Sequence, residues 1–209
     1  MVTPSRAEPG AAASELDESD LIARLRAGDE LAFEALVRTY GGRMLSAARR
    51  ILTREEDAQE AVQEAFLSAF RALESFEGQS RIGTWLHRIA INAALMKLRR
   101  IERRPERPVE DLLPAWGDDG GFARMPEPWE DAADSPVLQD EAREVVRAKI
   151  AELPDPYRIA LTLRDIEGLS NEELAGTLGV SVNAAKIRVH RARQALRTLL
   201  DPYMNGENG

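Results

Sequence analysis

The stretch Leu169–Leu200, LSNEELAGTLGVSVNAAKIRVHRARQALRTLL, sets cations where a helix can present them to a polyanion. From Ser181 onward it carries Lys186, Arg188, Arg191, Arg193 and Arg197 and no Asp or Glu. An ordinary solvated surface helix is the competing reading, but such a helix mixes both charge signs. Apolar residues recur at Val182, Ala185, Val189, Ala192, Leu196 and Leu199, which predicts one inward stripe. Asn183, Ala184, Ile187, Arg191 and Gln194 fall opposite it, with Lys186, Arg188 and His190 on its flanks. Asn183 can bond an adenine edge, and Ile187 can press on a thymine methyl. A reading helix needs a short turn ahead of it. Ser170 with Glu173 has the spacing of a capping box, opening a helix with Leu174, Ala175 and Leu178 on its apolar face. Gly179 can end that helix and Ser181 can cap the next. The pattern is a helix-turn-helix suited to the major groove of duplex DNA.

A second basic group lies upstream. Arg81, Arg88, Lys97, Arg99, Arg100, Arg103 and Arg104 face only Glu102 between positions 81 and 104, a local charge of +6. The polar loop Ser75–Gly83, with Phe76, Gln79 and Ser80, precedes a helix expected from about Thr84 to Arg103. Trp85, Leu86, Ile89, Ala93 and Met96 are its expected buried side. A polar loop ahead of a basic helix can grip separated strands, phosphates going to the cations and an unstacked base to the loop. Trp85 reads either as core packing or as a base-stacking surface. Before it, a helix over about Arg54–Glu74 has the apolar stripe Ala58, Ala61, Val62, Ala65, Phe66, Ala69, Phe70 and Leu73. Its opposite face holds Gln59, Glu60, Gln63, Glu64 and Ser68. That face suits either a solvated helix start or docking on another protein.

Catalysis finds little support. His87 and His190 sit among arginines, and neither has the HExxH spacing of a zinc site. Glu55, Glu56 and Asp57 cluster where acids are ordinary, at a helix start. There is no glycine-rich phosphate loop or nucleophile elbow. Cysteine is absent, so disulfides and thiolate metal sites are excluded. The chain reads as a non-enzyme with no metal or cofactor. No apolar run is long enough to cross a membrane, and the N-terminus lacks the apolar core of a secretory signal, which fits the cytoplasm.

The elements that must position these groups are all helical. Residues 1–19 read as a disordered polar tail and 20–104 as a first helical domain. Within it, a short helix ends at Gly28, Asp29 caps a longer one that can bend at Gly41-Gly42, and Thr53 with Glu56 has the spacing of a second capping box. Residues 105–136, broken by prolines, read as a flexible acidic linker. A second domain follows over 137–201, with 202–209 as a tail. Ser135 and Asp155 are the expected caps of its first two helices, each followed by a proline. Tyr157, Ala160, Leu161, Leu163 and Ile166 are expected to pack inward. The net charge of −8 looks wrong for a DNA binder until it is divided. Between Pro105 and Glu144 twelve carboxylates face three arginines, and it is local fields that steer an encounter with a polyanion.

Four pieces in this order resemble a known family: DLIARLRAGDELAFEALVRTYGGRMLSAARRIL, EEDAQEAVQEAFLSAFRAL, SFEGQSRIGTWLHRIAINAALMKLRR and LPDPYRIALTLRDIEGLSNEELAGTLGVSVNAAKIRVHRARQALR. Together they are similar to the extracytoplasmic-function sigma factors, small members of the sigma-70 class of bacterial RNA polymerase subunits. The resemblance implies an all-α fold of two small domains, region 2-like and region 4-like, joined by the acidic linker. It places Asp57, Gln59, Glu60, Gln63 and Glu64 on core polymerase, whose β′ and β subunits are the implied partners. It assigns the −10 promoter element, read as a melted strand, to Ser75, Phe76, Gln79, Ser80, Arg81, Thr84, Trp85, Arg88, Asn92, Lys97, Arg99 and Arg100. It assigns the −35 element, read as duplex, to Ser181, Asn183, Ala184, Lys186, Ile187, Arg188, His190 and Arg191. An anti-sigma partner, often membrane-bound in the family, is also implied. Two departures stand out. Met96 replaces an Asp usual four residues after the Asn, and Asn183, Ala184 and Ile187 stand where small hydroxyl residues or glycine are common. A stand-alone helix-turn-helix regulator and a protein-only signalling adaptor are the competing functions.

A tether of about 32 residues averages roughly 30 Å as a coil and extends to at most about 110 Å, enough to set two domains on separated DNA elements. Its acids suit either a soluble spacer or an occupant of surfaces that later meet RNA. Neutralising the carboxylates of 105–144 separates these. An RNA mimic predicts a changed ratio of abortive to full-length transcripts, and a spacer predicts none.

Overall fold

The computed structural model describes residues 9–101, 109–113 and 136–204, with side chains over 18–101, 111–113 and 142–204. Most of the acidic linker, the Ser135 cap and residues 205–209 lie outside the described residues. Every regular element among the described residues is helical. The chain divides into two units, Met1–Glu102 and Arg103–Gly209.

The first unit holds α1 (Pro9–Arg26), α2 (Glu30–Ile51), α3 (Glu55–Ala72), a single 3-10 turn (Leu73–Ser75) and α4 (Ile82–Arg100). α1 thus begins inside the stretch expected to be a polar tail. Helices α2, α3 and α4 pack against one another. Leu36, Met44, Ile51, Ile82, Leu86 and Ile91 are fully buried between them. So are Ala47, Ala48, Ala58, Ala61, Ala65, Ala90 and Ala94, and methyl-sized side chains let helix axes come close. Phe70 meets the edge of Phe33 with ring centroids 4.7 Å apart. Asp29 caps α2 as expected, accepting from the N–H of Leu31 at 2.9 Å and of Ala32 at 3.4 Å. Arg24 holds that carboxylate at 2.8 Å and lowers its pKa. α2 runs unbroken through Gly41-Gly42.

Two local expectations are corrected here. No Thr53–Glu56 capping box forms: α3 starts at Glu55, with Arg54 at the cap position and no side-chain cap bond. Three acids in the first turn meet the positive helix end instead. The buried face of α4 is also turned from its expected phase. It comprises Ile82, Gly83, Leu86, His87, Ala90, Ile91, Ala94 and Leu95, whereas Met96 is 51% exposed and Trp85, Ile89 and Ala93 are half-buried. α4 has apolar residues on most of its circumference, so several phases satisfy helical spacing. Packing against both α2 and α3 selects among them.

The second unit holds α5 (Pro136–Ala151), α6 (Asp155–Leu161), α7 (Asn171–Leu178) and α8 (Val182–Met204). Asp155 does not cap α6. It is the first helical residue, behind Pro154, and accepts from Nη2 of the buried Arg158 at 2.6 Å. α6 continues into a π turn, Thr162–Ile166, in which Glu167 N–H donates to Thr162 C=O at 3.0 Å. That wider turn rotates the following side chains, so Ile166, expected inside, is 44% exposed while Ile159 and Leu163 are buried. On α8, Ala185, Val189, Ala192, Ala195 and Leu200 are buried, and Val182, Leu196 and Leu199 are half-buried. Within the expected linker, Val109–Leu112 form a 3-10 turn. Its Leu112 is buried against Leu153, Leu161, Ala192 and Ala195.

Gly83 is required by the contact between α2 and α4. A Cβ there would stand 2.6 Å from Cε1 of Tyr40. Gly83→Ala should therefore lower stability by about 1–3 kcal/mol, the usual cost of overpacking. The shift of the urea midpoint of the full chain measures it.

Candidate nucleic-acid and protein-docking surfaces

The turn ahead of α8 forms as its residue types require. Ser170 Oγ accepts from Glu173 N–H at 3.1 Å, and Glu173 Oε2 accepts from Ser170 N–H at 2.9 Å. Gly179 takes φ +68°, a left-handed conformation that costs most side chains energy. Ser181 Oγ then accepts from Ala184 N–H at 3.1 Å and caps α8. Ser181, Asn183, Lys186, Ile187, His190 and Arg191 emerge exposed, with Ala184 and Arg188 half-buried. Ile187 is 47% exposed, an aliphatic side chain held in water among cations. Lys186, Ile187, His190, Arg191 and Gln194 line a shallow hollow together with Leu113. Arg193 lies apart from this set, because Asp165 accepts from its guanidinium at 2.6 and 2.9 Å.

The loop between the 3-10 turn and α4 is less open than its sequence suggests. Phe76 is buried, its ring 4.8 Å from that of Trp85. Trp85 is therefore anchored by packing on Phe76 and is half-buried. Ser75 Oγ donates to Ala72 C=O at 2.8 Å, and Gln79 Nε2 donates to Glu77 at 2.9 Å. Ser80 is half-buried, while Arg81, Thr84, Arg88, Asn92 and Arg99 are exposed. Two residues of α1 that the sequence did not single out reach this loop. Arg26 Nη2 donates to Phe76 C=O at 2.6 Å, and Glu18 Oε1 accepts from Ile82 N–H at 2.5 Å. Long-range contacts of this kind leave no local sequence signal.

On α3, Gln59, Glu60, Gln63, Glu64 and Ser68 are exposed in one strip, with Leu67 beside them. Lys97 and Arg100, expected with the strand-gripping cations, instead reach across to this strip. Lys97 bridges Glu60 and Asp57, the latter at 3.4 Å, and Arg100 approaches Glu64 at 3.9 Å. Their carboxylate partners hold the Lys97 ammonium above its ordinary pKa, Glu60 foremost. Glu55 accepts from Arg49 at 2.6 and 2.8 Å and from Gln59 at 3.0 Å. The Arg49 guanidinium, helped by Gln59, lowers the Glu55 carboxyl to about 2. The Arg49–Glu55 and Arg100–Glu64 pairs are exposed and individually weak, whereas the side chains of Lys97 and Asp57 are largely shielded from solvent. Among the described residues no His or carboxylate cluster could hold a metal ion, and no helix is long and apolar enough to cross a membrane.

A carboxyl depressed in the folded state stabilises fully above its unfolded value, near 4.5 for Glu55, and loses that effect as pH falls toward about 2. The stability gap between the wild type and Glu55→Gln should thus shrink steadily over that window. Urea midpoints across pH 2.5–5.5, roughly the range over which this carboxyl titrates, check it.

Residues 36–104, covering most of α2 through α4, match the Sigma-70 region 2 family, and residues 143–196 match Sigma-70 region 4. The chain is 36% identical over 189 residues to the RNA polymerase sigma-H factor of Pseudomonas aeruginosa, covering 90% of this chain and 95% of that one. It is 35% identical over 192 residues to the ECF RNA polymerase sigma-E factor of Escherichia coli K12, covering 91% and 97%. Among solved structures it resembles CnrH in complex with the cytosolic domain of CnrY, with a TM-score of 0.51 and 28% identity over 88% of this chain and 97% of that one. It also resembles the sigma factor RpoE bound to the anti-sigma factor NepR from Bartonella quintana, with a TM-score of 0.50 and 26% identity over 80% and 96%. With a region 2 unit carrying the α3 strip and a region 4 unit carrying the basic α8, the chain belongs to the extracytoplasmic-function sigma factors of the sigma-70 family.

Proposed function

We propose that this chain is a dissociable initiation factor that directs core RNA polymerase to a set of promoters and helps open them. It is a regulatory subunit rather than an enzyme, and it works in the cytoplasm, where polymerase and promoter DNA meet. The observation that carries this reading is the pairing, in order on one chain, of the region 2 and region 4 matches with two different polar surfaces. The exposed strip of Gln59, Glu60, Gln63 and Glu64, with Asp57 at its edge, suits docking on a basic polymerase surface. The exposed face of α8, from Ser181 to Arg191, suits the −35 duplex, with Asn183 and Ile187 as base readers and Lys186, Arg188 and Arg191 on phosphates.

The loop from Ser75 to Thr84, with Trp85, Arg88, Asn92 and Arg99 behind it, suits the melted −10 strand. Phe76 serves there by holding Trp85 in place, since its own ring is buried. Lys97 and Arg100 border the docking strip through their ion pairs with Glu60 and Glu64. Opening draws on differential binding, because strand contacts exist only once bases have unstacked. An anti-sigma partner fits the same reading, since one structural relative is the sigma factor RpoE bound to the anti-sigma factor NepR. A stand-alone regulator leaves the α3 strip and the region 2 match without a role.

Transcription in vitro with bare core polymerase and genomic DNA tests the proposal. Added chain should produce transcripts from a limited set of start sites sharing two spaced elements, and absence of any defined start would overturn it. In the same assay, Asn183→Ala should cost about 1–3 kcal/mol and relax preference at one −35 position. Lys186→Ala should weaken binding to all sequences alike and reduce the salt slope by about one.

A further inference from the structure

The loop from Phe76 to Arg81 is held at both ends by one helix, through contacts that span 50 and 64 residues of the chain. At its start, Arg26 donates to the Phe76 carbonyl at 2.6 Å. At its end, Glu18 accepts from the Ile82 N–H at 2.5 Å. Ile82 is the first residue of α4, and its N–H is one of the donors that a helix leaves without a partner of its own. Residues just before a helix usually supply the acceptor. Here Arg81 occupies the cap position with no side-chain cap bond, so the cap comes from α1. A carboxylate there also meets the positive end of the α4 dipole.

Glu18 and Arg26 stand about two turns apart on α1, roughly 12 Å along its axis. A rigid helix thus sets the separation of the loop's two ends. The Phe76–Trp85 ring pair lies between these anchors, because Phe76 carries the carbonyl that Arg26 holds and Trp85 sits in the first turn of the helix that Glu18 caps. Glu77, Gly78 and Gln79, which with Arg81 are the exposed residues of the loop, are suspended between them.

We propose that α1 is a positioning clamp for strand capture, with Glu18 and Arg26 as positioning residues that preset the 76–81 loop for an unstacked base. This rests on the reading above that the loop meets the melted strand. Preset geometry matters because ordering a loop only on binding costs free energy that then weakens the contact. Neither residue need touch DNA.

The test uses holoenzyme made from full chain and core polymerase. The probe is fork-junction DNA bearing the non-template sequence that wild-type holoenzyme selects from a randomised library. Glu18→Ala should weaken fork-junction binding about 3- to 10-fold, within the range that loss of a helix cap supports. Affinity for core polymerase and for a duplex −35 probe should stay unchanged. Glu18→Gln keeps an acceptor and should recover binding to within about twofold, since an amide oxygen still caps the helix. Arg26→Ala should give the same selective defect. Equal fork-junction binding by wild type and Glu18→Ala overturns the clamp, as does a loss shared equally by the duplex probe. Tighter binding by Glu18→Ala also overturns it, because Glu18 would then be occupying a phosphate position. If wild-type holoenzyme selects no strand sequence, the reading of the loop itself fails and the clamp with it.

Discussion

The close contact of α3 and α4 is the constraint from which both surfaces of the first unit follow. Ala58, Ala61, Ala65 and Ala69 recur on α3 in steps of three and four, and Ala90 and Ala94 are buried on α4. Small side chains remove the spacing that larger ones impose between helix axes. At that separation Lys97 spans from α4 to Asp57 and Glu60, and Arg100 reaches toward Glu64. The acidic strip is therefore bordered by cations rather than lying alone, and its charge is arranged by packing. The same contact turns Arg88, Asn92 and Arg99 outward, toward the surface proposed for DNA.

The surfaces proposed for binding are made differently in the two units. On α8 the face proposed for duplex DNA is built locally: a capping box, a left-handed glycine and a serine cap aim one helix, and its exposed residues are near neighbours in sequence. The surface proposed for the melted strand is built from distant pieces, with α1 anchoring both ends of a loop that leads into α4. Duplex DNA offers a preformed groove that a single helix can enter, whereas a flipped base must be enclosed from more than one side. The difference in construction suits the difference in target.

Charge is used locally throughout. The chain is acidic as a whole, yet α8 exposes Lys186, His190 and Arg191 around Ile187, and Asp165 takes Arg193 out of that set. Leu113 lines the same hollow, and its neighbour Leu112 is buried in the second unit's core. A piece of the acidic connecting segment is thereby packed onto the second unit rather than serving only as tether. Nothing in its composition announces this, since two leucines between acids and a proline carry no periodicity.

Sequence alone determined the features that rest on near neighbours in the chain. The helical class, the Ser170–Glu173 box, the Gly179 turn, the Asp29 cap and the exposed face of α8 each follow from residues within a few positions of one another. So does the exposure of Gln59, Glu60, Gln63 and Glu64, because α3 has one clean apolar stripe. Tertiary structure decided whatever had several local solutions or none. The phase of α4 was open because its apolar residues satisfy more than one face, and α2 and α3 chose between them. Ile166 moved outward because a π turn shifted the register, and Asp155 turned to a buried arginine instead of capping. Lys97 and Arg100 joined the α3 strip because interhelix distance, which no periodicity encodes, brought their partners within reach. The hold of Glu18 and Arg26 on the 76–81 loop spans 64 and 50 residues, and only the folded chain brings such groups together.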